Sequence, residues 1–422
     1  MKRTTRFLQV AAAFSGFAIP ALVALAPSPP STASGAETPP LIQSPPIYAS
    51  RGTATEVTAV PSGRPDAVTL VVEDPSSGQT LSRAPMKPRR SEAWTGSIPR
   101  ASVRGVRYRV DARYKSGEVE RSDTQRLTYL DRVLAPRMSV LPARGSRLLT
   151  VDLGSAASDL GASAGDQAAR VLPAAFDVDA TARRIDVLDT VNARVVTFGF
   201  GGGRIGSTPI ATGSATVGDL VRLPDGTRYL LDVSRDELIR WTPAGQEVFE
   251  KAGLRDEPVD ARLVARNTDL YLRDASQGRS ELLARANGAF VNATERVADT
   301  TPVANVQVNG SSVLVGDLCV LRCGDRTEAA RLDFGRTVFD VAAYGVDGHG
   351  VFWGLVDVDE AGTATTRLIS IDPARPSDVA VRTIDASVFG DVTRRLVTLD
   401  SGGVVVMSGT RSQLVFTRYS TR

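Results

Sequence analysis

Four aspartates in one short segment have the spacing that carboxylate chemistry would need. The segment FDVDATARRIDVLDTVNARVVTF, residues 176–198, carries them at Asp177, Asp179, Asp186 and Asp189. Two carboxylates in different environments can serve as general acid and general base, and converging carboxylate oxygens can bind Ca²⁺. The alternative interpretation is a structural unit whose acids lie in turns and on solvated faces.

The alternation of residues in this segment favours the structural interpretation. Residues i and i+2 of a strand lie on one face, so Asp177 and Asp179 are expected opposite Phe176 and Val178. If the apolar residues are buried, the acids should face solvent. Asp189 ends a strand-like run, where its carboxylate can accept hydrogen bonds from the backbone of the following turn.

An internal repeat runs through the second half of the chain. An aspartate follows a short strand-like run at intervals of 43, 42 and 43 residues, at Asp189, Asp232, Asp274 and Asp317. Turn residues recur in phase with them, at Asp225-Gly226, Asn267, Asn309-Gly310 and Asp347-Gly348. A catalytic acid is expected in one unit and not at every period, so these four aspartates are predicted to be structural repeat markers.

The period and the short strands predict an all-β fold, a six-bladed β-propeller over residues 145–422 preceded by a small β-sandwich. First strands are expected near Ala174, Asp219, Arg262, Asn305, Asp340 and Arg395. The last unit supplies about three strands. The lone strand Ser146–Gly154 is expected to complete that sheet, which would remove an exposed strand edge.

The segment quoted above resembles an NHL repeat. In that pattern an aliphatic-Asp strand, a turn, a second strand ending in Asp, an Asn-containing turn and an Arg-led third strand follow in order. Asp189, Asn192 and Arg194 match these positions, and Asp232 continues the pattern. Later units do not keep the Asn and Arg. The resemblance implies a propeller whose face or channel binds a partner.

The N-terminus has the layout of a secretory signal peptide, residues 1–36. Lys2, Arg3 and Arg6 precede an apolar run that Pro20 interrupts. Removing this segment takes away three positive and no negative charges, so the formal net charge falls from +3 to 0. A neutral protein gives no electrostatic reason to expect nucleic acid or membrane as partner. The alternative is an uncleaved membrane anchor.

Residues 37–46 are Pro-rich and are predicted to be a linker. Short alternating runs over residues 47–135 predict the β-sandwich. The phrase RGVRYRVDARYKSGEVERSD, residues 104–123, resembles late strands of fibronectin type III or immunoglobulin-like domains, and Trp94 is expected in the core. Arginines and a lysine of residues 87–109 are expected to be solvated; the alternative is contact with an acidic surface polymer.

The inventory of reactive residues is small. Cys319 and Cys323 are predicted to form a disulfide in an exported protein. His349 is the one histidine of the sequence, which excludes a multi-histidine metal centre, and there is no G-x-S-x-G motif. The chain is therefore predicted to be secreted, periplasmic or in the cell envelope, and to bind a protein, peptide or glycan without catalysis or cofactor. The alternative is a hydrolase or lyase that uses carboxylates or Ca²⁺.

Overall fold

The computed structural model describes residues 41–421 with gaps, and these residues belong to one compact unit, Pro39–Arg422. The gaps are 44–45, 47, 90–92, 101–104, 143, 157, 163–171, 211–215, 224, 243, 252–253, 255–261, 267–268, 275–278, 286–287, 292–295, 298–305, 317–327, 385–393 and 411. The described residues form strands joined by turns, which confirms the all-β class. Two 3₁₀ turns, Thr190–Asn192 and Val233–Arg235, each follow a strand of the described part.

The first ten strands form two sheets. They are β1 Leu41–Gln43, β2 Tyr48–Ser50, β3 Thr55–Val60, β4 Ala67–Glu73, β5 Thr80–Pro85, β6 Lys87–Pro88, β7 Trp94–Ile98, β8 Gly105–Arg113, β9 Val119–Arg121 and β10 Gln125–Leu130. One sheet has the order β1-β3-β7-β6 and the other β2-β10-β8-β4-β5, with β9 on β8. Alternate residues of both sheets, such as Val57 and Tyr108, share one hydrophobic core against which Trp94 packs.

Four short strands come next along the chain. They are β11 Arg132–Leu134, β12 Arg137–Leu141, β13 Ser146–Gly154 and β14 Leu160–Gly161. β11 joins β29, Glu328–Asp333, and β12 joins β33, Asp378–Thr383, both in parallel. β13 pairs with β36, Gln413–Tyr419, in antiparallel. The last pairing confirms that Ser146–Gly154 completes the final sheet.

Six further sheets, here called repeat sheets 1 to 6, use the remaining strands. Their strands are β15 Ala175–Asp179, β16 Arg184–Asp189, β17 Arg194–Gly199, β18 Arg204–Pro209; β19 Asp219–Arg222, β20 Arg228–Asp232, β21 Glu237–Thr242, β22 Gly245–Glu250; β23 Arg262–Arg266, β24 Asp269–Asp274, β25 Arg279–Ala284, β26 Arg296–Val297; β27 Val306–Asn309, β28 Ser312–Gly316, β29 Glu328–Asp333; β30 Val338–Val346, β31 Phe352–Glu360, β32 Thr363–Ile371, β33 Asp378–Thr383; and β34 Leu396–Thr398, β35 Val404–Gly409, β36 Gln413–Tyr419. Each sheet pairs its consecutive strands in antiparallel.

The first strands of the repeat sheets lie beside one another in a propeller-like arrangement. β15 contacts β19, β19 contacts β23, β27 contacts β30, and β30 contacts β34. β34 also contacts β15, so the last repeat sheet lies next to the first. Phe176 of β15 packs edge-to-face on Phe416 of β36 at this junction, with ring centroids 5.1 Å apart.

The pairing of three strands does not follow the predicted domain boundaries. β1 lies inside the expected linker but pairs with β3, because its backbone hydrogen bonds are satisfied by that sheet edge. β11 lies inside the expected sandwich but pairs with repeat sheet 4, and β12 lies between the two expected domains. Tyr48 and Leu130 pack with Leu314 and Ala329 of repeat sheet 4 in one small apolar cluster.

The turns use the residues that their backbone requires. Gly226 and Gly310 follow Asp225 and Asn309 and have φ of 89° and 59°, which an L side chain rarely adopts. The Asp225 carboxylate accepts a hydrogen bond from Thr227 N at 2.8 Å. Asn267 lies outside the described residues. In the part of the chain that the structure describes, no helix is long and apolar enough to cross a membrane.

Candidate functional site

Asp189 is buried at the end of β16, where three donors surround its carboxylate. The backbone N–H of Gly161 donates to it at 3.0 Å, the Asn192 side chain at 2.8 Å and the Arg194 Nε at 2.7 Å. Arg194 also donates to the Asp159 carbonyl. The carboxylate therefore ties the 3₁₀ turn and β17 to the short strand β14.

The other repeat markers differ in how much the structure shows of them. Asp232 is also fully buried at a strand end, and Thr216 Oγ1 donates to its carboxylate at 2.8 Å. Asp274 ends β24, and its side chain is outside the described part. Asp317, Cys319 and Cys323 lie outside the described residues. The disulfide therefore stays a prediction.

Two aspartates of the first strands join neighbouring repeat sheets. Asp177 of β15 accepts hydrogen bonds from Val178 N at 2.7 Å and from Arg222 N of β19 at 2.5 Å. Asp219 of β19 accepts from Leu220 N at 2.9 Å and from Leu263 N of β23 at 2.8 Å. Each carboxylate thus receives one N–H from its own strand and one from the next sheet.

Arg394 brings a positive charge into the same region. Its Nε and Nη2 donate to the two oxygens of Asp219 at 2.8 and 2.7 Å, a bidentate pair. Nη2 also donates to the Leu263 carbonyl at 2.7 Å, and the Arg394 backbone N–H donates to Ala174 O at 3.0 Å. This one residue therefore connects the segment before β34 with repeat sheets 1, 2 and 3.

A second ionic cluster lies between repeat sheets 1 and 2. Asp186 of β16 accepts from Arg228 Nε at 2.7 Å and Nη2 at 2.9 Å, from Arg222 Nη1 at 3.0 Å, and from Thr197 Oγ1 at 2.6 Å. Arg222 forms a further ion pair with Asp179 at 3.3 Å. Every oxygen of the buried Asp186 carboxylate therefore has a charged donor.

The surroundings move the pKa values of Asp177 and Asp186 in opposite directions. Burial raises the pKa of Asp177 to about 6, although the Arg394 charge and the two backbone N–H groups oppose the rise. Burial would also raise the pKa of Asp186, but the hydrogen bonds and charges of Arg228 and Arg222, with Thr197, leave it below its ordinary value. Asp177 is thus the carboxylate better suited to exchange a proton near neutral pH.

The expectation that Asp177 faces solvent was wrong, and Asp186 is likewise buried. Both are buried, and Asp189 is buried as well. The face of β15 opposite Phe176 is covered by the neighbouring β19 and not by water. Asp179 is partly exposed, in agreement with its place at the end of the strand.

Sequence reasoning missed the arginines that give this region its charge balance. Arg222 and Arg228 flank the Asp225-Gly226 turn, so their place on a hairpin was a usable signal. Arg394 precedes the predicted start of the last unit, but nothing local indicates its partner Asp219. Asp219 was predicted only to mark the start of a repeat unit, although Asp177 has a similar position in the preceding unit.

Among the described residues, no group of three or more His, Cys, Asp or Glu is arranged to hold a metal ion. His349 lies in the turn after β30, where its backbone N–H donates to Asp347 at 2.9 Å. The buried Asp347 also accepts from Val351 N, from Trp353 Nε1 at 2.9 Å and from Gly403 N at 2.7 Å. This turn carboxylate joins repeat sheets 5 and 6.

The arginines of residues 87–109 have mixed surroundings. Arg89 is exposed and pairs with Glu56 at 3.1 Å, and Arg109 pairs with Glu73 and with Asp111. Arg90 and Arg104 lie outside the described residues. The carboxylate partners of these two arginines lie on strands β3, β4 and β8 of the same two sheets.

No protein-family model matches the sequence, and no curated protein matches it. Among solved structures, virginiamycin B lyase from Staphylococcus aureus is similar over 58% of this chain and 94% of its own, at 7% identity and a TM-score of 0.35. A streptogramin B lyase covers 76% and 91%, at 9% identity and 0.30. An auxiliary nutrient binding protein from Bacteroides thetaiotaomicron covers 90% and 98%, at 10% identity and 0.25. At such low TM-scores these similarities carry no argument about fold or function.

Proposed function

We propose that this chain is a six-bladed, NHL-like β-propeller preceded by an immunoglobulin- or fibronectin-like β-sandwich, and that it is a non-catalytic binding scaffold outside the cytoplasm. The six repeat sheets, the contacts between their first strands and the β13–β36 pairing support the propeller. Residues 1–36 would be removed as a signal peptide and 37–46 would be the linker. The partner would be a protein, peptide or glycan of the cell envelope, with no nucleic acid and no membrane contact.

One observation carries the non-catalytic part of the proposal. The carboxylates of the first strands, Asp177 and Asp219, are bonded to backbone N–H groups of the neighbouring sheets, and Asp219 is also held by Arg394. Acid–base catalysis needs groups that can reach a substrate proton. Here the same groups hold the sheets together.

Phe339 marks the place where we expect a partner to bind. It lies near the start of β30, a first strand, at an irregularity of the β30–β31 pairing. Its side chain is 54% exposed, and the neighbouring Asp340 is exposed as well. An exposed aromatic side chain next to polar groups is typical of the residues that contribute most to binding.

Site-specific photo-crosslinking in the producing cells tests this proposal. A crosslinkable amino acid at Phe339 is expected to give one discrete adduct in the envelope fraction. The control position is Leu81 of β5, which is 49% exposed. No adduct at Phe339, or the same adducts at both positions, would count against a partner at β30.

A second candidate function rests on the raised pKa of Asp177. A buried carboxyl with a pKa of about 6 is partly protonated near neutral pH, as a general acid must be. A hydrolase or lyase that uses this group, with or without Ca²⁺, is the alternative. The binding scaffold predicts equal melting temperatures in millimolar CaCl₂ and in EDTA, whereas a bound Ca²⁺ would raise the melting temperature by mass action.

A further inference from the structure

Three arginines belong to the segments that border the end of β36. Arg147 of β13 pairs with Thr417, two residues before Tyr419, so its side chain shares a sheet face with Tyr419. Arg144 directly precedes Gly145, which lies against Thr417 and Tyr419. Arg382 of β33 reaches the same strand end from the neighbouring sheet. We call Arg144, Arg147 and Arg382 the arginine site.

Arg382 is the buried member of the arginine site. The residue is 5% exposed, and its Nη2 donates to the Ser420 carbonyl at 3.1 Å. Its Nη1 is buried and has no hydrogen-bond partner in the structure. Burial lowers the pKa of Arg382, against a smaller opposing contribution of Tyr419. A guanidinium nevertheless stays charged at neutral pH, so the site holds a desolvated positive charge.

Arg382 differs from the other buried ionic groups in its surroundings. Among the described residues, no carboxylate forms an ion pair with Arg382, and Arg144 and Arg147 are exposed and likewise form none. The register neighbours of Arg382 are the apolar Leu141 and Leu368. Arg394, by contrast, has the carboxylate of Asp219 as its partner at 2.7 Å. A buried charge without a partner is destabilising, and an anionic ligand would relieve this.

We propose that the arginine site binds an oxyanion, a phosphate, sulfate or carboxylate group that belongs to a ligand. The Nη1 of Arg382, which has no hydrogen-bond partner, would be a charged donor to an oxyanion oxygen. Arg144 and Arg147 add positive potential at the rim, which attracts an anion and raises its association rate. This site lies at the outer strands of repeat sheets 5 and 6, and it does not depend on the partner proposed for Phe339.

Titration of the purified protein with simple anions tests the site. Sodium sulfate, sodium phosphate and sodium acetate are added at constant ionic strength, with NaCl as the balance, and binding is followed by calorimetry and by melting temperature. A specific site gives a saturable response, whereas the general stabilising effect of sulfate does not saturate. A preference for sulfate and phosphate assigns a phosphate or sulfate group, and an equal response to acetate assigns a carboxylate.

Variants separate the site from general charge effects. Arg382→Gln is expected to weaken anion binding by about tenfold, since it removes a charge-assisted donor. Arg147→Gln is expected to weaken it by roughly threefold through the loss of a rim charge. Arg113→Gln, at the exposed end of β8, is the matched control and is expected to change nothing.

Two results would overturn the proposal. One is the absence of a saturable response to all three anions in the unaltered protein. The other is an unchanged affinity in Arg382→Gln. Should Arg382→Gln fail to fold, Arg147→Gln decides, because it alters an exposed residue: weaker binding supports the site, and unchanged binding rejects it.

Discussion

Asp177 and Asp186 lie directly opposite each other on β15 and β16, yet their surroundings are unlike. Asp186 faces repeat sheet 2, where Arg228 and Arg222 donate to it. Asp177 receives backbone N–H groups only, and the Arg394 charge near it is held by Asp219. Burial alone therefore does not set the pKa of an acid; the charged donors that accompany burial do.

The same comparison explains why one arginine matters to several sheets. Arg394 neutralises Asp219 and partly offsets the cost of charging Asp177. Arg228 acts on Asp186 across the interface of two sheets, repeat sheets 1 and 2. The Arg394 region is thus the more sensitive of the two to loss of a single side chain.

The largest effect is expected from Arg394→Gln. The substitution leaves the buried Asp219 carboxylate without its cation, which typically costs about 3–5 kcal/mol. It also removes the charge that opposes the raised pKa of Asp177, so that pKa should rise further. Urea unfolding followed by tryptophan fluorescence measures the loss in stability. A loss as small as that of an exposed arginine would show that Arg394 does not hold the sheets together.

The next effect is the pH dependence caused by Asp177. Its pKa is about 6 in the folded protein and 3.8 in an unfolded chain, so folding favours the protonated form. The stabilisation by protonated Asp177 is complete below about pH 3.8 and is lost as the pH rises through about 6, roughly 3 kcal/mol in all.

Asp177→Asn removes this dependence, because the amide cannot ionise. Between pH 4 and pH 7 the stability of the variant is expected to fall less than that of the unaltered protein. Unfolding curves of both proteins at several pH values measure the difference. Parallel pH profiles would mean that Asp177 titrates at its ordinary pKa.

A smaller effect is expected from Arg228→Gln. Arg222 and Thr197 still donate to Asp186, so the loss should be about 2 kcal/mol, the range of hydrogen bonds to a charged group. The pKa of Asp186 should rise towards its ordinary value, and stability should then be lost at a higher pH on acidification. Acid unfolding of the two proteins measures this shift. An unchanged acid midpoint would show that Arg228 does not cause the low pKa of Asp186.

The smallest effect is expected from Arg375→Gln. Arg375 is 76% exposed and pairs with Asp372 at 3.5 Å, so solvent screens this pair. Such surface pairs contribute about 0–1 kcal/mol, less at high salt. Urea unfolding at low and high NaCl measures the change in the free energy of unfolding. A loss as large as that of Arg394→Gln would contradict the distinction between buried and exposed pairs.

The sequence predicted the features that depend on local alternation. The all-β class and the pairing of Ser146–Gly154 with the final sheet follow from short apolar runs at a regular period. The sequence did not predict the burial of Asp177 on β15. Alternation with a period of two shows which residues share a face of the strand, but it does not show that a neighbouring sheet covers the polar face.

The charge partners could not be predicted because they are distant in sequence. Arg394 can contact Asp219 because the first strands of repeat sheets 6, 1 and 2 lie side by side. Arg382 becomes conspicuous for a similar reason, since its burial depends on β12 and β36. A repeat pattern describes equivalent positions, whereas these arginines occupy unique ones.

A carbon-13 NMR titration of the aspartate carboxyl groups tests the central claim most directly, with Asp177→Asn and Asp186→Asn spectra to assign the two signals. The account predicts a midpoint near pH 6 for Asp177 and a midpoint below 3.8 for Asp186. Two midpoints close to the ordinary aspartate value would contradict the account, because they would show that the different donors do not shift the two pKa values apart.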